Sequence, residues 1–476
     1  AFLADVVSLS EHPVTGITAR WIASQSVTVA GSGHVTQGYP VSAPAKFVGY
    51  GWSETYDGSQ STVSTYLTGK FGSDPERPWL SDMTGEGIAY AIHTARINEK
   101  LWTDFPRYMH QVQGAPVFDP RLSTAAGGSG SQVWGTFSTY TFSDNPIVLI
   151  YNILRGLHAA AGAFVWGGHA TAYQLPYAEW AAAANLCDAA VTLAAGGTEK
   201  RYRAGVEISL NERPADVIRE LLVACNARIS FSRGQYHVLV DVPASASASF
   251  ADDDLLIDQP IDFSQFPNLD DAINGIAATY LEPLRAWEER ETAPYYRTDL
   301  EEEDGQLNRE SLKLRCVFSG SQAQRILKAV IEESRRFKRA VVCLPPAYGQ
   351  YRPLQALSWT SAEFQYSDKL WLIISRTEDE WGRIWFALQE IDPADFDWDE
   401  ETDETELTFA STEESPVAAQ PMTGWSAVAG VDTSGRRFYI EASYKGGLDD
   451  VRAVRIQIRE KLGLQPVVFD SGATDY

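Results

Sequence analysis

"PADVIRELLVACNARISFSRGQYHVLV", residues 214–240, changes its hydrophobic period once, and that change decides the fold class. In its first half Val217, Ile218, Leu221, Leu222 and Cys225 recur at helical spacing behind Pro214, a residue suited to a first helical turn. In its second half Ile229 and Phe231, then Tyr236, Val238 and Val240, alternate across Arg233–Gly234. That is the pattern of a β-hairpin closed by a two-residue turn. A helix laid against an antiparallel pair makes this part of the chain α+β.

Two more helices are predicted upstream. "DNPIVLIYNILRG" (144–156) offers Asp144 or Asn145 as cap, Pro146 for the first position and Gly156 for the left-handed residue past the end. Its apolar stripe is Ile147, Ile150, Tyr151 and Leu154, expected to pack on a sheet with Trp180 and Leu221. "PYAEWAAAANLCDAAV" (176–191) puts Tyr177, Trp180, Ala184, Cys187 and Val191 on one face. Before them, residues 1 to about 140 read as short strands such as "ITARWIAS" (17–24) and "GIAYAIHTARI" (87–97), separated by turn clusters like "FGSDPERPW" (71–79). By composition "STAAGGSGSQ" (123–132) is a flexible connection.

Past the break "PASASASFADDD" (243–254) a second β-rich unit holds one helix over Ser321–Arg339. Ile326, Leu327, Val330, Ile331 and Phe337 form its core face, and Arg335, Arg336, Lys338 and Arg339 suit its C-terminal dipole. "AVVCL", "ALSWTSAEFQY", "KLWLIISRTED" and "GRIWFALQEID" then predict a meander of three or four strands. "DWDEETDETE" (397–406) reads as a solvated linker. "RRFYIEASY", "VRAVRIQIRE" and "QPVVFDS" look like the opening strands of an all-β sandwich that the chain leaves unclosed, the mark of a truncation.

Composition narrows the function classes. At 476 residues the chain exceeds one core, and its 39 basic against 63 acidic side chains leave −24, a charge that repels nucleic acid. No run of about 18 apolar residues and no signal segment is present in the sequence. Cys187, Cys225, Cys316 and Cys343 lie far apart, so buried free thiols in a protein assembled in a reducing cytoplasm are expected. Nucleotide, serine-hydrolase and zinc-protease motifs do not occur. His158 and His169 stand apart across glycines; Asp395, Asp397 and Asp399 alternate as in a calcium loop but lack its glycine and closing glutamate. The runs Asp252–Asp254 and Glu301–Asp304 point in diverging directions and read as solvated loops. Trp371, Trp381 and Trp385 crowd one meander, for core packing or else for stacking a sugar. No catalytic, cofactor-binding or metal-binding residue is assigned, and no cofactor is expected.

"SDNPIVLIYNIL", the helix ending "AAAANLCDAAV", and "GGTEKRYRAGVEISLNERPADVIRELLVACNARISFSRGQYHVLV" follow one another in the order and spacing of a known family. They resemble the central part of the J-type tail-tip proteins of long-tailed bacteriophages, also called host-specificity or central tail hub proteins. "EHPVTGITARWI", "WLSDMTGEGIAYAI" and "VQGAPVFDPRL" upstream, and "DAINGIAATYLEPLRAWEER" with the helix and meander from Ser321 downstream, are similar to its flanking segments. The likeness covers most of residues 1–400, while the family's first strands and receptor-binding C-terminus have no counterpart.

The resemblance implies a multidomain, mainly β protein with α+β parts. Residues 1–60 plus 105–245 would form a first barrel-like hub domain, 61–110 an inserted small β-rich domain, and 246–395 a second hub domain. An acidic linker over 396–420 and the start of a fibronectin type III-like module over 421–476 would follow. It further implies a structural virion protein without catalysis: a homotrimer at the tail tip that caps the tube, forms the end of the DNA channel and carries host-recognition modules. Its partners would be the distal tail protein, other hub or tip proteins and the tape measure protein, with DNA passing unbound and a host surface receptor engaged by regions beyond this chain. The alternative is a β-rich protein that binds or degrades polysaccharide.

Overall fold

The structure is a computed structural model that describes residues 2–31, 37–98, 101–102, 104–159, 162–264, 272–405, 425–431, 438–444, 453–459 and 467–475. Among them lie six α-helices: α1 (Thr65–Phe71), α2 (Pro146–Arg155), α3 (Tyr177–Cys187), α4 (Pro214–Val223), α5 (Thr298–Asp304) and α6 (Gly320–Ser334). Strands make up most of the remaining regular structure.

The period change of residues 214–240 is real. α4 buries Val217, Ile218 and Leu221, Cys225 is buried just past its end, and strands Ala227–Ser232 and Gln235–Val240 pair with Ile229 opposite Val238. The turn residues Arg233 and Gly234 take φ of +51° and +78°, the left-handed pair whose twist matches a two-residue hairpin. α3 packs on this hairpin, where the Trp180 indole donates to the Tyr236 carbonyl at 3.0 Å.

α2 begins at Asn145, whose side-chain oxygen accepts from the Ile147 and Val148 amides while its NH2 donates to the Ala184 carbonyl of α3 at 2.8 Å. One fully buried residue thus caps one helix and ties it to another. Ile147, Val148, Ile150, Tyr151 and Ile153 are buried, and Tyr151 meets Trp180 edge-on at 5.6 Å. The helix sits chiefly against α3 and α4 rather than against a sheet, and Leu154 lies half-buried at the margin of the core.

Several elements end earlier than periodicity suggests. α3 stops at Cys187, where the Cys187 carbonyl turns to accept the Tyr202 amide at 3.0 Å; Val191 belongs to a strand, Ala190–Thr192. α6 stops at Ser334 because Arg335 reaches Asp304 and Arg336 reaches Asp395, so these cations serve ion pairs. Phe337 and Val330 are only half-buried. "STAAGGSGSQ" is a folded loop: Thr124 donates twice to the Gly130 carbonyl, and the Gln132 side chain accepts from the Asp119 amide at 2.7 Å. A Cβ on Gly128 would lie 2.3 Å from the Arg121 carbonyl, and one on Gly130 equally close to that of Leu122. Its glycines permit close backbone approach rather than supply looseness.

A five-stranded sheet runs in the order Phe2–Ser10, Ala89–Arg96, Gly51–Tyr56, Tyr39–Ala43, Thr28–Val29. Ala89–Arg96, from the segment expected as an insertion, is therefore paired on both sides by strands of the first sixty residues. Gln25–Ser26, Gly16–Ile22 and Tyr108–Gln113 form a three-stranded sheet. A six-stranded sheet runs Ala248–Ala251, Ala356–Ser361, Tyr366–Glu378, Ile384–Glu390, Arg339–Leu344, Asp262–Ser264, with the expected meander at its centre. Among the described residues every sheet is an open path, so the barrel-like closure expected for two domains is not formed within one chain.

The largest core extends from Val117 to Ile331 and joins α2, α3 and α4 to strand Gly275–Glu282 and α6, across the 245/246 boundary read from the sequence. A second unit, 408–476, contains two antiparallel pairs, Trp425–Val431 with Phe438–Tyr444 and Ala453–Arg459 with Val467–Asp475. Residues 406–424, most of the expected linker, lie outside the described residues.

Ile150 is fully buried and Leu154 is not, so the two truncations should differ. Ile150→Ala should lower unfolding free energy by about 2–5 kcal/mol in urea titration, and Leu154→Ala by clearly less. Equal losses would mean that the stripe is buried evenly.

Candidate functional site

The side chains that sequence reading weighed for chemistry do not converge. Among the described residues no three His, Cys, Asp or Glu side chains are placed to hold a metal, and a cavity lined by Arg201, Arg325, Lys328 and Trp398 among others has a volume of only about 10 Å³. Asp395 is buried against Arg336, while the Asp397 carbonyl accepts from Lys328 and the Asp399 carboxylate accepts the Glu401 amide. Asp252 is no solvated loop residue: it accepts from the Trp359 indole, the Ser361 hydroxyl and the Ala362 amide. Burial pushes its carboxyl up, but these hydrogen bonds, Ser361's foremost, outweigh that and hold it below the usual range. Glu301–Asp304 forms part of helix α5, and Asp304 receives both Arg335 and Asn274.

The His158 Nδ1–H donates to the Gly156 carbonyl at 3.0 Å and its ring meets Phe164 edge-on; His169 stacks on the same Phe164 ring at 4.3 Å. All four cysteines are buried and free. Trp371 is fully buried, whereas Trp381 is 74% exposed in the turn after Tyr366–Glu378, so the two share no stacking platform.

What the fold does bring together are joints between distant segments. At the first, the Arg325 guanidinium, 4% exposed, donates to Glu199 at 2.7 Å, to the Arg201 carbonyl at 3.0 Å and to the Ser321 hydroxyl at 2.9 Å. Glu199 also accepts from the Ser319 hydroxyl, the residue that caps α6. Beside it Gln322 accepts the Arg203 amide and donates to the Arg203 and Ala224 carbonyls. Tyr202 and Arg201 both donate to Asp241, whose carboxyl burial pushes up against their pull. No local motif marks these residues; the signal in sequence was only the polar "TEKRYR" run between two apolar helices.

The second joint links two sheets. His93 on Ala89–Arg96 and His110 on Tyr108–Gln113 place their Nε2 atoms 3.2 Å apart, with the Tyr108 ring stacked on His93 at 3.9 Å. Burial, then the neighbouring His110 and Arg20, push the His93 imidazole down to about 3. Burial and Arg20 push His110 down to about 4. One neutral ring can donate to the other; two protonated rings cannot. A histidine inside the apolar run "GIAYAIHTARI" was the available sign of it.

A third feature is an edge. Strand Phe2–Ser10 is hydrogen-bonded to Ala89–Arg96 and stands at the end of its sheet, yet it exposes Phe2, Leu3, Val6 and Val7 at 38–48% on both faces. Apolar side chains on both sides of an edge strand are a template for another chain.

No family model and no curated protein matches this chain. Among solved structures, the chain resembles one from the virion of a native gene transfer agent particle. The TM-score is 0.53 at 14% identity, covering 85% of this chain and 81% of that one. At that identity the likeness is one of fold. A 43 kDa tail protein of prophage MuSo2 from Shewanella oneidensis aligns at 12% identity over 83% of this chain and 95% of its own, with a TM-score of 0.31.

The histidine joint sets a pH dependence. Both folded values lie below the ordinary 6.5, so between about 6.5 and 4 the unfolded chain takes up protons that the folded one refuses. Stability should be full above about 6.5 and fall with pH down towards 4. His110→Gln should flatten that slope in urea midpoints measured from pH 7 to 5. An unchanged slope in the variant would remove the joint as its cause.

Proposed function

We propose that this chain is a structural subunit of a phage-type tail, placed at the central hub or tip of the virion. There it would cap the tail tube, form the end of the DNA channel and carry host-recognition modules, without catalysis. The carrying observation is the fold shared over most of its length with a chain of a gene transfer agent virion. The ordered motifs from "SDNPIVLIYNIL" to "QYHVLV" support the same reading.

The chain would act as a homotrimer. Its open sheets favour this, because a ring can be closed between copies when it is not closed within one. The free edge of Phe2–Ser10 gives such closure a starting strand. The distal tail protein, tape measure protein and other tip proteins would be its neighbours, and a host receptor would be met by regions beyond this chain. A net charge of −24 suits a passage through which DNA slides without adhering. No cofactor enters this role.

Mass photometry of the purified chain should find three copies per particle. Val6→Lys with Val7→Lys should leave circular dichroism intact, since both side chains are already exposed, and should shift the population to monomer. A wild-type monomer that releases reducing sugar from capsule or cell-wall glycans would instead favour the polysaccharide reading.

A further inference from the structure

The acidic stretch expected to be a solvated linker is docked as far as Thr405, and it is docked in an orderly way. Asp395 is 4% exposed and Phe396 8%. From that anchor the chain crosses α6, and side chains of that helix, with Arg336 just past its end and Arg201 beside it, meet the chain in turn. Arg336 holds Asp395 and Asp392. Arg201 donates to the Phe396 carbonyl at 2.8 Å, and Arg325 lies over the Trp398 ring at 5.7 Å. Lys328 donates to the Asp397 carbonyl at 2.9 Å and to the Asp403 carboxylate at 2.7 Å. Gln324 and Thr405 exchange two hydrogen bonds, 2.7 and 2.9 Å, as neighbouring strands would.

The acidic residues also organise the stretch itself. Asp403 accepts the Asp399 amide at 2.9 Å, and Asp399 accepts that of Glu401, so the segment 399–403 is a closed turn that presents Asp403 to Lys328. Glu404 reaches the Ala194 amide at 3.1 Å, beyond α6. A charge run that were merely solvated would not spend its carboxylates on specific amides and on a lysine only 17% exposed.

We propose that residues 392–405 are a charge-held strap: an acidic, aromatic-anchored peptide seated in a basic groove of α6 that tethers the start of the chain leading to the second unit. The groove accordingly selects acidic peptide. Its affinity is greatest when the Lys328–Asp403 pair is intact and salt is low, since removing one member strands the other's charge in a half-buried place. The strap rests on contacts among described residues of the first unit alone, so the inference stands apart from the tail assignment.

The test is hydrogen exchange read by mass spectrometry on the full chain, comparing peptides that cover 396–405 and, as control, 146–155. In roughly 0.01 M salt the strap amides should be protected, and in roughly 1 M salt, where the screening length falls from about 30 Å to about 3 Å, they should exchange faster. Lys328→Gln should speed strap exchange about tenfold at low salt and leave α2 unchanged. The charge swap, Lys328→Asp with Asp403→Lys, should recover much of the protection. Strap exchange indifferent to salt and to Lys328→Gln would overturn the proposal, because Phe396 and Trp398 would then hold the segment alone. Loss of protection on dilution would overturn the tether in another way, by placing the strap in a second copy's groove. Unprotected strap amides in the wild type would refute it outright.

Discussion

Arg325 cannot be buried without partners, and the middle of the molecule is arranged around satisfying it. An unpaired guanidinium in an interior is costly, whereas one that meets a carboxylate, a backbone carbonyl and a hydroxyl is tolerated. Those partners come from residue 199, residue 201 and Arg325's own helix. The same helix offers Gln322 to both polar groups of the Arg203 backbone. Segment 199–203 is thereby fastened to α6 as firmly as a strand to its neighbour. The apolar core that contains α2, α3 and α4 is in turn completed by Ile326, Leu327 and Ile331 of α6. A reader of local patterns divides the chain at about residue 245; the buried ion pair crosses that division.

This explains what was legible in the sequence. Period and cap chemistry act within a dozen residues, so α2 with a cap at Asp144 or Asn145, of which the structure uses Asn145, α4, the Arg233–Gly234 hairpin and the meander around Trp371 could be read directly. What failed depended on partners far along the chain. α3 has alanines enough to continue to Val191, yet Tyr202 captures the Cys187 carbonyl and a strand follows. The glycines of 123–132 have the composition of a linker, and only the positions of the Arg121 and Leu122 carbonyls reveal them as close-approach residues. The acidic run at 397–405 closes a turn of its own at 399–403, but what docks it is Lys328 and Gln324, some seventy to eighty residues earlier. The Glu199–Arg325 joint is invisible for the same cause, since its two members are separated by 126 residues.

The N-terminal sheets differ in character from this middle. Their cores are small, around Ile22, Val41 and Phe47 and around Tyr66, Leu67 and Ile92, and a buried imidazole meeting a half-buried one, rather than an ion pair, helps join them. The outermost strand leaves apolar side chains uncovered on both faces. The largest core lies between residues 117 and 331, so this outermost strand is peripheral to it.

Charge follows the same division. Arg121, Arg201, Arg297, Arg325, Arg335 and Arg336 are all committed to carboxylates of the same chain. Cations spent in this way hold segments together and are not presented to a polyanion. The acids outnumber the bases by 24, so the surplus cannot be neutralised internally and must face solvent or a partner. A nucleic-acid-binding surface needs the reverse, lysines and arginines free of internal partners and gathered on one face. For these six arginines, the pairing that withholds a cation from an outside anion is the pairing that orders the core.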